Sequence, residues 1–216
     1  MEFKVLKDIL SANDQIAEEN RQLLDGNKVF AINVMSSPGS GKTSTILQTI
    51  KGLKDKVKIA VIEGDVSSSI DAEKISKEGI TALQINTGGE CHLDANMLNR
   101  AIKDLPIANI DLLFIENVGN LICTAEFQLG MHKNLVISST AEGDDKPLKY
   151  PLMFTVADVF LINKMDLSPY LNFDADAYKN AVKALNKKAE IFEISCTTGQ
   201  GIDMWLAWIK KQLNIV

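Results

Sequence analysis

Apolar residues recur along the chain in two patterns. Short, nearly unbroken runs occupy 29–35, 57–62, 80–85, 110–115, 135–138, 156–162 and 191–194, and each reads as a strand buried on both faces. Between them, apolar positions fall three and four apart, the spacing of an amphipathic helix. One such segment spans 6–24, with Leu6, Ile9, Leu10, Ile16, Ala17, Leu23 and Leu24 on a stripe that Asn13 and Asn20 interrupt. A second follows residue 43, with Ile46, Leu47, Ile50 and Leu53. Further helices are predicted over 67–78, 93–103, 176–187 (Ala177, Ala181, Val182 and Leu185 inward) and 202–213 (Ile202, Trp205, Leu206, Ile209 and Leu213 inward). Asp25-Gly26-Asn27 closes the first helix in a turn. This alternation predicts an α/β fold, a doubly wound and mainly parallel sheet with helices on both faces. The expected division is an N-terminal helix, residues 1–27, packed on or extending from one domain, residues 28–216. Ligands of such sheets collect beyond the carboxyl ends of the strands, and polar, glycine-rich sequence follows nearly every predicted strand.

The first of these strand ends carries Ser36-Ser37-Pro38-Gly39-Ser40-Gly41-Lys42-Thr43 between a strand and a helix, the context of a phosphate-binding loop. Small residues let the backbone curl so that its N–H groups point at phosphate oxygens, and the helix N-terminus adds partial positive charge. Pro38, Gly39, Ser40, Gly41, Lys42, Thr43 and Ser44 are the candidate phosphate-site residues. Lys42 is placed to neutralise the β- and γ-phosphates, and Thr43 to offer its hydroxyl to Mg²⁺. Ser36 stands where the motif has its first glycine, a change that is harmless if the position does not need positive φ.

Asn163-Lys164-Met165-Asp166, at the end of a later strand, has the N-K-x-D form that reads guanine. The carboxylate of Asp166 can accept from both N1–H and the 2-amino group, donors that adenine lacks, and a site built this way rejects the analogue strongly. The stem of Lys164 can lie across the base, and Asn163 can tie neighbouring loops together. Ser195-Cys196-Thr197-Thr198-Gly199, after the last strand, resembles the loop that completes guanine pockets through backbone N–H groups.

Two further constellations lie at strand ends. Glu63-Gly64-Asp65 offers Asp65 as a hard oxygen ligand for Mg²⁺. Glu116-Asn117-Val118-Gly119 puts Glu116 where a D-x-x-G motif has Asp, and Asp71 is a candidate to position an attacking water. Gly88-Gly89-Glu90-Cys91-His92 and, separately, Cys123 bring thiolate and imidazole to the same rim. These donors suit Ni²⁺ or Zn²⁺ and are poor for Mg²⁺. Three ligands do not close a tetrahedral site. Across a two-fold axis, Cys91 and His92 from two chains supply two sulfurs and two nitrogens, a set that in planar form fits Ni²⁺. Spacing alone leaves open a core role for Cys123.

Composition narrows the surroundings. At 216 residues, 46% hydrophobic, the chain fills one large core. A net charge of −5 favours neither nucleic acid nor an anionic membrane. Residues 1–8 carry charges throughout, unlike a signal peptide, and no apolar run reaches membrane-spanning length. Three cysteines make no disulfide framework, so a reducing cytoplasm is expected.

Taken together these motifs resemble the hydrogenase-maturation GTPases of the HypB family, nickel-delivery members of the SIMIBI-like P-loop GTPases. The resemblance runs from Lys28 onward. It is carried by the phosphate loop, Glu63-Gly64-Asp65, Gly88-Gly89-Glu90-Cys91-His92-Leu93, Glu116-Asn117-Val118-Gly119-Asn120-Leu121, Glu142-Gly143-Asp144-Asp145-Lys146-Pro147-Leu148-Lys149-Tyr150-Pro151 and Asn163-Lys164-Met165-Asp166, of which the Cys91-His92 pair and the segment from Lys146 to Pro151 are the specific parts. It implies a GTP-dependent homodimer with Cys91, His92 and Cys123 at the interface, and Lys149 reaching the neighbour's nucleotide. It further implies GTP hydrolysis coupled to nickel delivery toward the [NiFe]-hydrogenase large-subunit precursor, with a HypA-like partner. The Cys-x-x-Cys-Gly-Cys site and histidine-rich tract of some members are missing, and there are only two histidines, so nickel storage is not expected. A urease-type nickel GTPase would carry Cys-Pro-His instead of the adjacent Cys91-His92. A metal-binding scaffold whose GTP site only controls assembly would hydrolyse little. A nucleotide kinase would need mobile arginines, and Arg21 and Arg100 are the only two.

Overall fold

The computed structural model describes residues 2–65 and 70–215, with side chains excluded at 2–9 and 70. Leu6 and Ile9 of the first predicted stripe, and 67–69 of the predicted helix over 67–78, therefore lie outside the description. Among the described residues seven strands form the sheet: β1 (Phe30–Ser36), β2 (Ile59–Asp65), β3 (Thr81–Asn86), β4 (Leu112–Glu116), β5 (Lys133–Ser139), β6 (Val159–Asn163) and β7 (Glu190–Glu193). The helices are α1 (Glu2–Gly26), α2 (Lys42–Leu53), α3 (Ile70–Ser76), α4 (Ala95–Asp104), α5 (Cys123–Glu126), α6 (Lys146–Lys149), α7 (Pro151–Val156), α8 (Ala175–Leu185) and α9 (Ile202–Gln212).

The strand order is β3-β2-β4-β1-β5-β6-β7, and every neighbouring pair is parallel. This is the doubly wound α/β arrangement expected from the alternation. β1 is central, so the loop leaving its carboxyl end opens where the winding reverses, the position that favours ligands.

Period-two alternation along the strands sorts the core into layers. Ile32 and Val34 of β1 pack toward α2 and α9. Ala31 faces the opposite layer, under α1 and α4, and Met35 faces the part of that layer covered by α7 and α8. Asn33 is buried between them. On the first layer the Trp205 indole N–H donates to Thr49 Oγ1 (2.8 Å) and its ring stacks on Trp208, centroids 5.2 Å apart. Trp208, absent from the predicted inward stripe, is buried.

Asn13 and Asn20 do not weaken the stripe of α1; with Ala17 and Leu24 they are its buried face. Asn20 Nδ2 donates to the carbonyls of Ala95 (2.9 Å) and Leu129 (3.2 Å). Asn13 Oδ1 accepts from Ala95 N–H (2.9 Å), and its Nδ2 donates to Gln128 O (2.8 Å). The helix covers backbone groups at the start of α4 and in 128–129 that need partners once buried, and the two amides supply them.

Three differences from the expected pattern bear on packing. Val156 ends a short helix that Pro151 starts, so the strand predicted from 156 begins at Val159. In α8 the inward residues are Tyr178 and Val182, while Ala177 is exposed; Asp174 caps the helix by accepting from Asp176 and Ala177 N–H, which fixes the first turn. The helix predicted from 93 begins at Ala95, capped by Asp94, whose Oδ1 accepts from Met97 N–H (2.7 Å). Leu93 is left in the preceding loop, fully buried.

Candidate functional site

The loop after β1 turns through Gly39 (φ 79°) and Gly41 (φ 104°), both in the left-handed region that favours glycine, before α2 starts at Lys42. Ser36 has no positive φ, so the substitution for the motif's first glycine costs no backbone strain. Its hydroxyl accepts from Lys42 Nζ (3.2 Å) and donates to Ser37 O (2.6 Å). Glu142, to which the sequence reading gave no role, braces the loop. It accepts from Ser40 Oγ (2.8 Å), from Ser37 Oγ, and from the backbone N–H of Ser139 (2.8 Å). Ser44 lies exposed on the first turn of α2.

The N-K-x-D segment docks directly on this loop. Asn163 Nδ2 donates to Ser40 O (2.9 Å), and its Oδ1 accepts from Lys164 N–H (2.8 Å) and Cys196 N–H (3.3 Å). Lys164 takes positive φ (61°) and its Nζ donates to Gly39 O (2.7 Å). Asp166 Oδ1 accepts from Ser195 Oγ (2.6 Å), which in turn accepts from Thr198 N–H (3.1 Å). One carboxylate oxygen is thereby oriented by the second loop. Cys196 is fastened by Gln48 Nε2, which donates to its carbonyl (2.7 Å); Thr197 is on the same turn. The structure thus brings residues 163–166 and 195–198 together against 39–41.

On the other side of the phosphate loop is a cavity of about 340 Å³ lined by Lys42, Glu63, Asp65, Asp71, Glu116 and Gly119 among others. One carboxylate oxygen from each of Glu63, Asp71 and Glu116 lies within 4.8 Å of the other two. Thr43 Oγ1 donates to Glu116 Oε1 (2.9 Å), and Asp71 pairs with Lys74 (2.6 Å). Glu63 Oε2 and Glu116 Oε2 are buried with no hydrogen-bond partner among the described residues. Burial, then the charges of Glu116 and Asp71, push the Glu63 carboxyl up to about 8. Burial raises Glu116 to about 7, opposed by Lys42 and the Thr43 hydroxyl. Orphaned carboxylate oxygens beside a phosphate loop are what a hard divalent cation satisfies, so the donor set fits Mg²⁺. Glu63 is the member of this set that the sequence reading left unassigned, in favour of Asp65.

The soft donors gather separately. One ligand atom each from Cys91, His92 and Cys123 lies within 4.8 Å of the other two, and Cys91 Sγ is 3.7 Å from His92 Nδ1. All three are half-exposed. The His92 ring stacks on Phe127, centroids 3.9 Å apart, which fixes its plane. A hydrogen bond to Cys91, followed by burial, raises the Cys123 thiol. Cys123 opens α5 at the rim and is no core residue. Beside it, an apolar groove is lined by Leu121, Ile122, Tyr150 and Leu152.

A family model described as the CobW/HypB/UreG nucleotide-binding domain matches residues 30–193. The hydrogenase maturation factor HypB of Escherichia coli K12 is 47% identical over 205 residues, 95% of this chain and 71% of that protein. The crystal structure of hydrogenase maturation factor HypB from Archaeoglobus fulgidus superposes with a TM-score of 0.90 at 41% identity, covering 95% of this chain and all of that one. The chain belongs to the HypB family. The structure of HypB from Helicobacter pylori in complex with nickel also superposes, with a TM-score of 0.88 at 37% identity over 94% of this chain and 95% of that one. The fold is accordingly the doubly wound P-loop GTPase fold.

Within this HypB-family chain, Lys149 lies apart from the chain's own phosphate loop. It lines the apolar groove beside Ile122 and Leu152 and pairs with Asp145.

Proposed function

We propose that this chain is a GTP-hydrolysing nickel switch of hydrogenase maturation, binding its metal at the interface of a GTP-dependent homodimer. The observation that carries the reading is the convergence of Cys91, His92 and Cys123 on the rim that also holds the phosphate loop and its carboxylates. In this account loop amides 38–43 and Lys42 hold the phosphates, while Asp166 and the 195–198 turn select guanine. Thr43, Glu116 and Glu63, with Asp65 close by, hold Mg²⁺, which supplies charge neutralisation at the β- and γ-phosphates. Asp71 orients the attacking water. The described cavity lining holds neither arginine nor glutamine, so intrinsic turnover is slow, and groups supplied in trans accelerate it.

Nickel is cargo. Cys91 and His92 from each of two chains, with Cys123 beside them, complete a shared site at a two-fold axis. Ile122 and Leu152, which line the groove by Cys123, are 56% and 48% exposed, and Leu148 next to the groove's Lys149 is exposed too, an apolar surface suited to a second copy. Lys149 at that groove is then available to the neighbour's nucleotide. A HypA-like chaperone and the hydrogenase large-subunit precursor are the partners, and the cytoplasm is the compartment. No described helix is long and apolar enough to cross a membrane.

The test is nucleotide turnover and nickel transfer on one sample. GTP, not ATP, is hydrolysed slowly, and nickel passes to an acceptor chelator faster during turnover than in the GDP form. Undetectable hydrolysis in the presence of metal and partner would favour an assembly scaffold instead.

A further inference from the structure

Between the metal loop and the nucleotide cavity lie two buried residues, Leu93 and Asn117, the second of which also lines the cavity. Leu93 directly follows His92 and is fully buried. Its backbone N–H donates to Asn117 Oδ1 (3.1 Å). The same oxygen accepts from Val118 N–H (2.9 Å), in the loop that Glu116 begins. Asn117 is 1% exposed. Its Nδ2 donates to Asn33 Oδ1 in β1 (3.2 Å), and Asn33 Nδ2 donates to Asn134 Oδ1 in β5 (3.0 Å). The amide is thus anchored to the rigid centre of the sheet on one side and holds two loops on the other.

The Leu93 side chain meets the second carboxylate segment. A Cβ on Gly64, between Glu63 and Asp65, would lie 2.6, 2.7 and 2.8 Å from Leu93 Cγ, Cδ1 and Cδ2. The residue beside His92 is therefore held through its backbone by the Glu116 loop and through its side chain by the Glu63–Asp65 strand end. Buried amide hydrogen bonds are costly to leave unmade, and packed atoms have no slack. A shift of either carboxylate segment on exchange of GDP for GTP must displace Leu93 or break its contacts.

We propose that Asn117 is the positioning residue that couples nucleotide state to the Cys91–His92 metal site, acting through Leu93, with Gly64 as the opposing bearing surface. This rests on the nickel-switch reading above. Linkage makes the effect reciprocal, so the same junction carries metal occupancy back to nucleotide affinity.

The experiment measures Ni²⁺ dissociation constants with GDP and with a non-hydrolysable GTP analogue, on wild type, Asn117→Ala and Gly64→Ala. Wild type shows a ratio between the two states of about fivefold or more. In both variants the ratio falls to within about twofold of one, although Cys91, His92 and Cys123 are unaltered. A purely structural role weakens both states equally and leaves the ratio at its wild-type value, which overturns the proposal while the switch reading stands. A wild-type ratio of one sinks the switch reading and the relay together. If the variants do not fold, hydrogen exchange on metal-free wild type decides. Leu93 amide protection differs between the two nucleotide forms if the relay exists, and equal protection overturns it.

Discussion

Glu63 and Glu116 share one buried space at the phosphate cavity, and the proton they retain makes the metal-free protein sensitive to pH. Both carboxyls titrate above their ordinary value of 4.5, at about 8 and about 7. The folded state therefore binds more protons than the unfolded chain across that window, and stability falls as pH rises through it. Burial lowers the His132 pKa below its ordinary 6.5, so near pH 7 the unfolded chain holds slightly more proton there, a small opposite effect that fades toward pH 8. Urea unfolding of the metal-free protein should show decreasing stability from pH 7 to 8. Mg²⁺ with nucleotide favours the ionised carboxylates and should remove the decrease. Glu63→Gln should flatten the metal-free profile while weakening Mg²⁺-dependent nucleotide binding. The base pocket gives a second residue-scale prediction. Asp166→Asn replaces an acceptor by a donor at the position facing the 2-amino group. GTP affinity should drop by about 10²-fold or more in a nucleotide competition assay, and xanthosine triphosphate, with an oxygen at that position, should recover binding.

At the scale of elements, α1 is fastened by amides where the apolar pattern predicted only interruptions. Asn20 is fully buried and serves Ala95 O, Leu129 O and the Asn99 amide. Asn20→Ala should cost about 1–3 kcal/mol in chemical denaturation by stranding those groups, and a loss within error of zero would show that the helix is not docked there. The example marks what sequence patterning can reach. Unbroken apolar runs disclosed the parallel strands because a strand buried on both faces has no polar side to hide. The phosphate loop and the guanine loop were legible because backbone geometry and base edges demand particular residues at fixed spacing. Asn13, Asn20, Asn33 and Asn117 were not assigned as structural polar residues, because their partners are backbone or amide groups up to 115 residues away. Glu142 and Glu63 were visible as motif letters, but their work depends on the loops that fold around them. Short helices such as α6 and α7 gave too few residues to show a period.

For the whole molecule, the sheet places two chemically different sites on one rim: hard oxygens at the phosphate loop and a soft Cys91, His92 and Cys123 group beside an exposed apolar groove. Leu148, an exposed apolar side chain, directly precedes Lys149, which lines that groove. Leu148→Asp should keep the protein monomeric with the GTP analogue in analytical ultracentrifugation while leaving GDP affinity unchanged, because the GDP form does not draw on the dimer. A dimer that survives the charge would place the interface elsewhere. The central claim is that nucleotide governs a metal site shared between two chains. The most direct measurement is molecular mass and Ni²⁺ stoichiometry on the same sample, with GDP and then with a non-hydrolysable GTP analogue, for wild type and Cys91→Ala. The account predicts one Ni²⁺ per dimer with the analogue, less with GDP, and none shared in the variant. Equal nickel binding at equal mass in both nucleotide states, or nickel retained by Cys91→Ala, would contradict it.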